Sequence, residues 1–256
     1  MRMLRFAQTA IAATALAFAA PGAHAAGGGA DIESQDWSFS GIFGTFDQAS
    51  AQRGYQVYKD VCSGCHTMNL MSYRYLEGIG LPEATIKALA ATAEKTATND
   101  DGEEITVPRL PSDRFPAPFS NEKEARASNG GAMPPDLSLM AKARANGPNY
   151  LYALLTGYHD APADVTMNEG MYYNTAFAGH QIAMAPPLFD DLVEFSDGTK
   201  ATADQMARDV VTFMTFAAEP HMEERKRTGL KVVAFLLILS VMLYFVKKKV
   251  WSKLDH

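Results

Sequence analysis

Two cysteines stand three residues apart with a histidine directly after the second, in the run Cys62-Ser63-Gly64-Cys65-His66. Thiols at i and i+3 on one helical turn can each form a thioether to a porphyrin vinyl group, and the next imidazole then points at the iron. Cys-x-x-Cys-His is the attachment pattern of c-type haem. Cys62 and Cys65 are therefore the candidate attachment points of one covalent haem c, and His66 is its candidate proximal ligand. Three other chemistries use parts of the pattern. A thioredoxin-type redox pair wants a βαβ setting and has no use for the histidine. A structural zinc ion needs two more close-spaced ligands, and the sequence has no second Cys pair and no His pair three to five apart. A simple disulfide is open to an exported protein.

An electron-transfer haem takes a second axial ligand, usually Met or His. The chain has 13 Met and 6 His, so residue type alone does not choose. Backbone rigidity narrows the field, because two methionines precede a Pro-Pro pair: Met133 before Pro134-Pro135, and Met184 before Pro186-Pro187. Met184 also lies shortly before the last helix of the head. The residues themselves leave both methionines open.

The elements that must position these residues can be read in outline. Thr45 or Asp47 caps a helix from about Gln48 to Val61 that runs into the haem motif, with Gly54, Val57, Tyr58 and Val61 on one face. Gly54 costs helix propensity, so a close helix crossing is expected there. A loop and a short helix near Pro82-Glu83 follow. The stretch from Ala93 to Glu104 has no apolar period and reads as an exposed acidic loop. Pro108, Pro111, Pro116 and Pro118 exclude regular structure up to Phe119. Short helices are expected over Ser120–Ser128, over Leu139–Arg144, and from an Asn149 cap through Tyr150 to Thr156. Residues 167–189 read as loop. Thr202-Ala203-Asp204-Gln205 is a capping box opening a helix to about Ala218, whose Met206, Val210, Phe213 and Ala217 form one face suited to the Gly54 helix.

The two ends carry targeting signals. Arg2 and Arg5 precede an apolar run to Ala20 and an Ala23-His24-Ala25 cleavage pattern, so residues 1–25 read as a signal peptide. Val232 to Val246 is free of charge, about 22 Å of helix against a hydrocarbon core of about 30 Å, and Lys231 and Lys247 can snorkel to cover the difference. Residues 229–247 read as a transmembrane helix rather than a buried one, because the run is apolar on every face. Positive charge is balanced across this span, so the signal peptide sets the orientation: residues 26–228 outside, the tail 248–256 inside. Between residues 26 and 230 acids outnumber bases 28 to 16, a net charge of −12. Such a surface disfavours nucleic acid and suits a basic protein partner.

Several longer segments carry a family resemblance: the helix into CSGCH, then NGGAMPPDLSLMAKAR, YLYALLTGY, GMYYN, IAMAPPLFDDLVEFSDGT, AAEPHMEERKRTG and the C-terminal anchor. Together they resemble cytochrome c1, the haem subunit of ubiquinol:cytochrome c oxidoreductase (the bc1 complex), over nearly the whole mature chain. The resemblance implies a mostly α, class I cytochrome c-like domain with long loop insertions and one C-terminal transmembrane helix. It implies Met184 as the distal iron ligand, with Asn129, Arg144 and Tyr150 contacting the haem propionates, and no independent catalytic site. It implies electrons arriving from a Rieske iron-sulfur protein and leaving to cytochrome c, with cytochrome b as a membrane partner in a dimeric complex. The implied location is a bacterial inner membrane, with the haem domain in the periplasm and the C-terminus in the cytoplasm. Some bacterial relatives have an extra cysteine pair before the ligand methionine; this chain has none, and Pro162, Pro186 and Pro187 are the expected stiffeners. Two rival readings of the residues are an anchored c-type cytochrome that feeds an oxidase directly, and a haem peroxidase or sensor with an open sixth site.

Overall fold

The structure, a computed structural model, describes residues 32–253. The signal peptide expected over 1–25 lies outside the described residues, as do residues 254–256.

Helix α1, Gln48–Val57, begins where the Asp47 side chain accepts the Ser50 N–H at 3.1 Å, so Asp47 is the cap rather than Thr45. Its buried face carries Ala51, Gly54, Tyr55 and Val57. The helix expected to continue to Val61 instead widens into a π-helical turn at Tyr58–Cys62, closed by Ser63 N–H donating to the Tyr58 carbonyl at 2.8 Å. Such π turns insert one residue per turn and frequently mark functional sites. Here the widened turn delivers Cys62 to the attachment segment.

A 3-10 helix at Tyr73–Ile79 and helix α2, Glu83–Ala91, come next. The stretch expected as an acidic loop is instead an antiparallel hairpin: β1, Glu94–Thr98, pairs with β2, Glu104–Pro108, in the register Glu94↔Pro108 to Thr98↔Glu104. Alternating Thr, Ile and Val supply its β-propensity, while two largely exposed faces remove the apolar period that would reveal it. The Asn99 carboxamide oxygen organises the turn, accepting from the N–H groups of Asp101 and Glu103.

Helix α3, Glu122–Ser128, is capped by Asn121, whose side chain accepts the Glu124 N–H at 3.0 Å. Helix α4, Met140–Ala143, is shorter at both ends than expected. Helix α5, Gly147–Thr156, starts earlier than expected, with Asn146 at φ 59° and Pro148 in the first turn. Asn149 is therefore not a cap. Its side-chain oxygen accepts the Gln35 N–H at 3.0 Å and the Trp37 indole N–H at 2.7 Å, strapping the N-terminal segment to α5. Residues 167–189 are mostly loop, as expected, with the two-residue strands β3, Tyr172–Tyr173, and β4, Gln181–Ile182, paired antiparallel.

Helix α6, Ala203–Ala218, opens with Thr202 accepting the Gln205 N–H at 3.1 Å. The reciprocal half of the expected capping box is absent, because the Gln205 amide donates to Asp209 at 3.1 Å instead. Met206, Val210, Phe213 and Ala217 are buried, and the α1 face packs against them. At the crossing, a Cβ on Gly54 would lie 1.9 Å from the Asp209 carbonyl oxygen and 2.9 Å from the Phe213 Cβ, so only glycine lets the two backbones meet. The fully buried Asp209 carboxylate accepts from Ser50 Oγ at 2.7 Å and from Arg53 Nε at 2.8 Å, and Arg53 also reaches Asp197. This pair locks the two helices that frame the attachment segment.

Helix α7, Met222–Val250, leaves the head after Pro220. At about 1.5 Å per residue its 29 residues reach about 43 Å, and it is long and apolar enough to cross a membrane. The architecture is the mostly α one expected, with long loops between short helices and one exposed C-terminal helix.

Candidate haem site

The attachment segment is a tight turn: Cys65 N–H donates to the Cys62 carbonyl at 3.1 Å and His66 N–H to the same carbonyl at 2.9 Å. Cys62 is half-buried, Cys65 is exposed, and neither sulfur is in a disulfide. Burial, helped by the neighbouring Cys65, pushes the Cys62 thiol up to about 12. A redox-active Cys-x-x-Cys needs the opposite shift, toward thiolate. Among the described residues no group of three His, Cys, Asp or Glu is arranged to hold a metal ion.

His66 Nδ1 lies 2.8 Å from the Pro135 carbonyl oxygen. A carbonyl only accepts, so Nδ1 carries the proton and Nε2 keeps a free lone pair. Burial lowers the His66 pKa, outweighing the Pro135 bond and the nearby Asp136, so the ring is neutral at pH 7. A neutral imidazole with a bare Nε2, oriented through a backbone acceptor on its other nitrogen, has the form a haem-iron ligand requires. The free thiols at 62 and 65 and this ring together fit a covalent haem.

Pro135 is held in place by the residue after it. Asp136 Oδ2 accepts from Thr67 Oγ1 at 2.7 Å and from Asn69 N–H at 2.8 Å, while Oδ1 accepts Ser138 N–H at 2.9 Å. Leu137 N–H donates to the Thr67 carbonyl at 2.8 Å, and Ser138 Oγ accepts Leu70 N–H at 2.9 Å. Burial raises the Asp136 pKa, but the bonds from Ser138, Asn69 and Thr67 outweigh it and the group ends below the usual carboxylate range. The segment Pro135–Ser138 is thus stitched to the chain directly after His66.

The two methionines that the sequence left open differ in setting. Met133 is 41% exposed, one residue ahead of Pro134. Met184 is half-buried two residues past β4, and its carbonyl accepts the Tyr158 hydroxyl at 3.1 Å. Tyr158 follows α5 and forms an isolated antiparallel bridge with Asn174. Asn174 is fully buried: its amide donates to the Leu154 carbonyl, its oxygen accepts from Ala176 and Phe177 N–H, and its own N–H donates to the His180 carbonyl. This network braces the loop ahead of Met184. The expected stiffeners Pro162 and Pro186 are exposed and Pro187 is half-buried; each acts through its own locked φ, alongside this network.

The three residues that the family resemblance assigned to the propionates fall in different environments. Tyr150, on α5, is half-buried; burial raises its pKa and the neighbouring Arg144 partly offsets this, so the two share a neighbourhood. Arg144 is exposed at the end of α4, and among the described residues no carboxylate pairs with it. Asn129 ends α3, with its side-chain N–H donating to the Ala125 carbonyl at 2.7 Å. Its carboxamide is partly committed to capping. The supporting residues Asp136, Tyr158 and Asn174 were not picked out from sequence. The Asp directly after Pro-Pro, two before a Ser, was the one available signal.

A mostly α head with a Cys-x-x-Cys-His turn, an oriented neutral histidine and one exposed apolar C-terminal helix defines the class: a membrane-type c haem protein. Residues 37–254 match the family model described as the Cytochrome C1 family. The chain is 47% identical to cytochrome c1 of Rhodospirillum rubrum, over 99% of this chain and 100% of that protein. It is 49% identical over 85% of its length to cytochrome c1 1, heme protein, mitochondrial, of Arabidopsis thaliana, 71% of which is covered. It is 42% identical to a cytochrome b/c1 of Bradyrhizobium diazoefficiens, covering 40% of that longer protein. The chain belongs to the cytochrome c1 family. Its cofactor is covalent haem c, and its role is electron transport as a redox subunit of a bc1 complex.

Proposed function

We propose that this chain carries electrons from a Rieske iron-sulfur protein to a cytochrome c, alongside cytochrome b in a dimeric bc1 complex of a bacterial inner membrane. Residues 1–25 direct export, residues 26–228 form the periplasmic haem domain, residues 229–247 span the bilayer, and residues 248–256 remain cytoplasmic. Cys62 and Cys65 would hold the haem, His66 and Met184 would ligate its iron, and Asn129, Arg144 and Tyr150 would receive the propionates. When bound, the haem supplies a reversible one-electron change at iron. The protein's own residues orient His66, keep it neutral, and set Met184 on a braced backbone.

The observation that carries the reading is the Nδ1–H bond from His66 to the Pro135 carbonyl, which leaves Nε2 available to iron. The Tyr158 bond to the Met184 backbone supports Met184 over the exposed Met133. The test is the absorption spectrum of the reduced full-length protein with and without carbon monoxide, in wild type, Met184→Leu and Met133→Leu. Wild type and Met133→Leu should be unmoved by carbon monoxide at neutral pH, whereas Met184→Leu should bind it. Carbon monoxide binding by the wild type would reveal an open sixth site. An effect confined to Met133→Leu would move the ligand to Met133.

A further inference from the structure

Residues 37–46, Trp-Ser-Phe-Ser-Gly-Ile-Phe-Gly-Thr-Phe, form a loop without a single charge. Its base is fixed in the core. Trp37, Phe39 and Phe46 are buried, with Trp37 stacked on Phe39 at 5.4 Å, Phe39 tilted against Phe46 at 5.4 Å, and Phe46 edge-on to Phe216 at 5.6 Å. The loop closes on itself through Ser40 N–H to the Trp37 carbonyl and Thr45 N–H to the Ser38 carbonyl. Its turn demands glycine twice: Gly41 has φ +71°, and a Cβ on Gly44 would lie 2.0 Å from the Ser40 carbonyl oxygen. This is a preset shape, and at its tip Ile42 and Phe43 are 69% and 80% exposed. No other large apolar side chain among the described residues exceeds Ile42, including those along α7.

The loop is riveted to the first turns of α7. Lys226 Nζ donates to the Phe39 carbonyl at 2.7 Å and to the Gly44 carbonyl at 2.9 Å, bracketing the tip. Phe46 N–H donates to Glu223 Oε1 at 2.8 Å. Lys226 precedes Leu230, where the exposed apolar stretch of α7 begins, by four residues, about 6 Å of helical rise. The neck of the loop is therefore fixed about one turn ahead of the point where α7 changes from polar to apolar. On α7 the exposed Arg227, next in the chain after Lys226, and Lys231 one turn on suit lipid phosphates.

We propose that Ile42 and Phe43 enter the headgroup–acyl boundary of the membrane beside α7, giving the haem head a second, non-covalent lipid contact. The inference rests on the reading that α7 spans the bilayer. The occupant is lipid because the loop that carries the exposed pair is fixed to α7 at Lys226, one turn ahead of its apolar stretch, and because an aliphatic–aromatic tip is what the interface takes up. A single helix lets a head swivel about its tether. Two contacts joined through Lys226 fix its tilt, and with it the height of the attachment segment above the membrane.

The test uses the full-length, haem-loaded protein in phosphatidylcholine/phosphatidylglycerol vesicles, without partner subunits. Both native cysteines are consumed by thioethers, so a nitroxide can be attached at Phe43→Cys, at Leu237→Cys within α7, or at Glu103→Cys on the hairpin as an aqueous control. The ratio of oxygen to polar nickel-chelate accessibility is then read by power saturation. The expected result is a ratio at 43 severalfold above that at 103 and below that at 237, falling when Lys226→Met removes the rivet. A water-like ratio at 43 with a membrane-buried 237 overturns the lipid contact and leaves the anchor intact. A water-like ratio at both positions overturns the anchor and this inference with it. Protection of 43 that arises only on adding a partner subunit also overturns it, because the occupant is then protein.

Discussion

Tyr158 donates its hydroxyl to the backbone carbonyl of Met184 across 3.1 Å. The bond is to the main chain, so it fixes the residue without competing for the sulfur. Burial, with a smaller contribution from Tyr150, holds the phenol well above its ordinary range, so it remains a donor throughout the working pH. Tyr158→Phe removes one neutral hydrogen bond, worth about 1 kcal/mol, and leaves the ring packing in place. We expect a small loss of thermal stability and a measurable fraction of protein that binds carbon monoxide when reduced. A carbon monoxide titration identical to wild type would show that the Met184 backbone does not depend on Tyr158.

Gly54→Ala should destabilise the head, although an ordinary Gly→Ala change in a helix is favourable by about 1 kcal/mol. Here the new Cβ would fall 1.9 Å from the Asp209 carbonyl oxygen and 2.5 Å from its carbon, and both are backbone atoms. Helices α1 and α6 must separate, and the Arg53–Asp209 pair stretches with them. Overpacking of this kind costs about 3 kcal/mol. Chemical denaturation should show a lower midpoint at unchanged slope; a midpoint at or above wild type would mean that the crossing yields to a methyl group without separating the helices.

Acid should release the hairpin before the rest of the head. The Asp113 carboxylate accepts Leu110 N–H at 2.7 Å and pairs with Lys95 of β1 at 2.7 Å. The Leu110 bond first, then Lys95, holds its pKa below the usual carboxylate range. A group depressed in the folded state stabilises it at pH above the unfolded value, about 3.9, and that stabilisation is lost as pH falls through the folded value. Proteolysis at the Asn99–Glu104 turn and exchange of the Leu110 amide should therefore rise below about pH 4. Asp113→Asn should show raised exchange already at neutral pH with little further acid dependence. A variant that keeps the wild-type acid profile would assign the release to other groups.

How much could be read from the chain depended on whether the physics was local. The attachment turn, the Gly54 crossing and the Met206–Val210–Phe213–Ala217 face are set by spacing within one helix or one turn, and spacing is visible in a sequence. The hairpin was missed because both of its faces meet water, so alternation carries no apolar signal. Asn149 looked like a helix cap by residue type, yet its partners are Gln35 and Trp37, more than a hundred residues away. Asn174 left no signal for the same reason, and Asp136 only its place between Pro-Pro and Ser138: each is a polar side chain whose value lies in groups that only the folded chain brings to it. The widened π turn before Cys62 left no mark that periodicity could detect.

Asp136 yields the most direct test of how the attachment segment is held. Its two oxygens take three donors, from Thr67, Asn69 and Ser138, and these bonds keep the Pro135 carbonyl opposite His66 Nδ1. Asp136→Ala leaves two backbone N–H groups and a hydroxyl without their acceptor. Each buried group so stranded costs about 1–3 kcal/mol, and partial access to water should hold the total near about 3 kcal/mol. Asp136→Asn keeps one acceptor oxygen and should cost about half as much. The distinctive consequence lies in the haem rather than in stability. With Pro135 free to drift, the Nδ1–H bond weakens; with His66 ligating iron as proposed, the imidazole would be a poorer donor and the midpoint potential should rise in Ala and, less, in Asn. Redox titration of both variants beside wild type reads this directly. A stability loss with an unmoved potential would make Asp136 a fastener of the fold that leaves His66 alone.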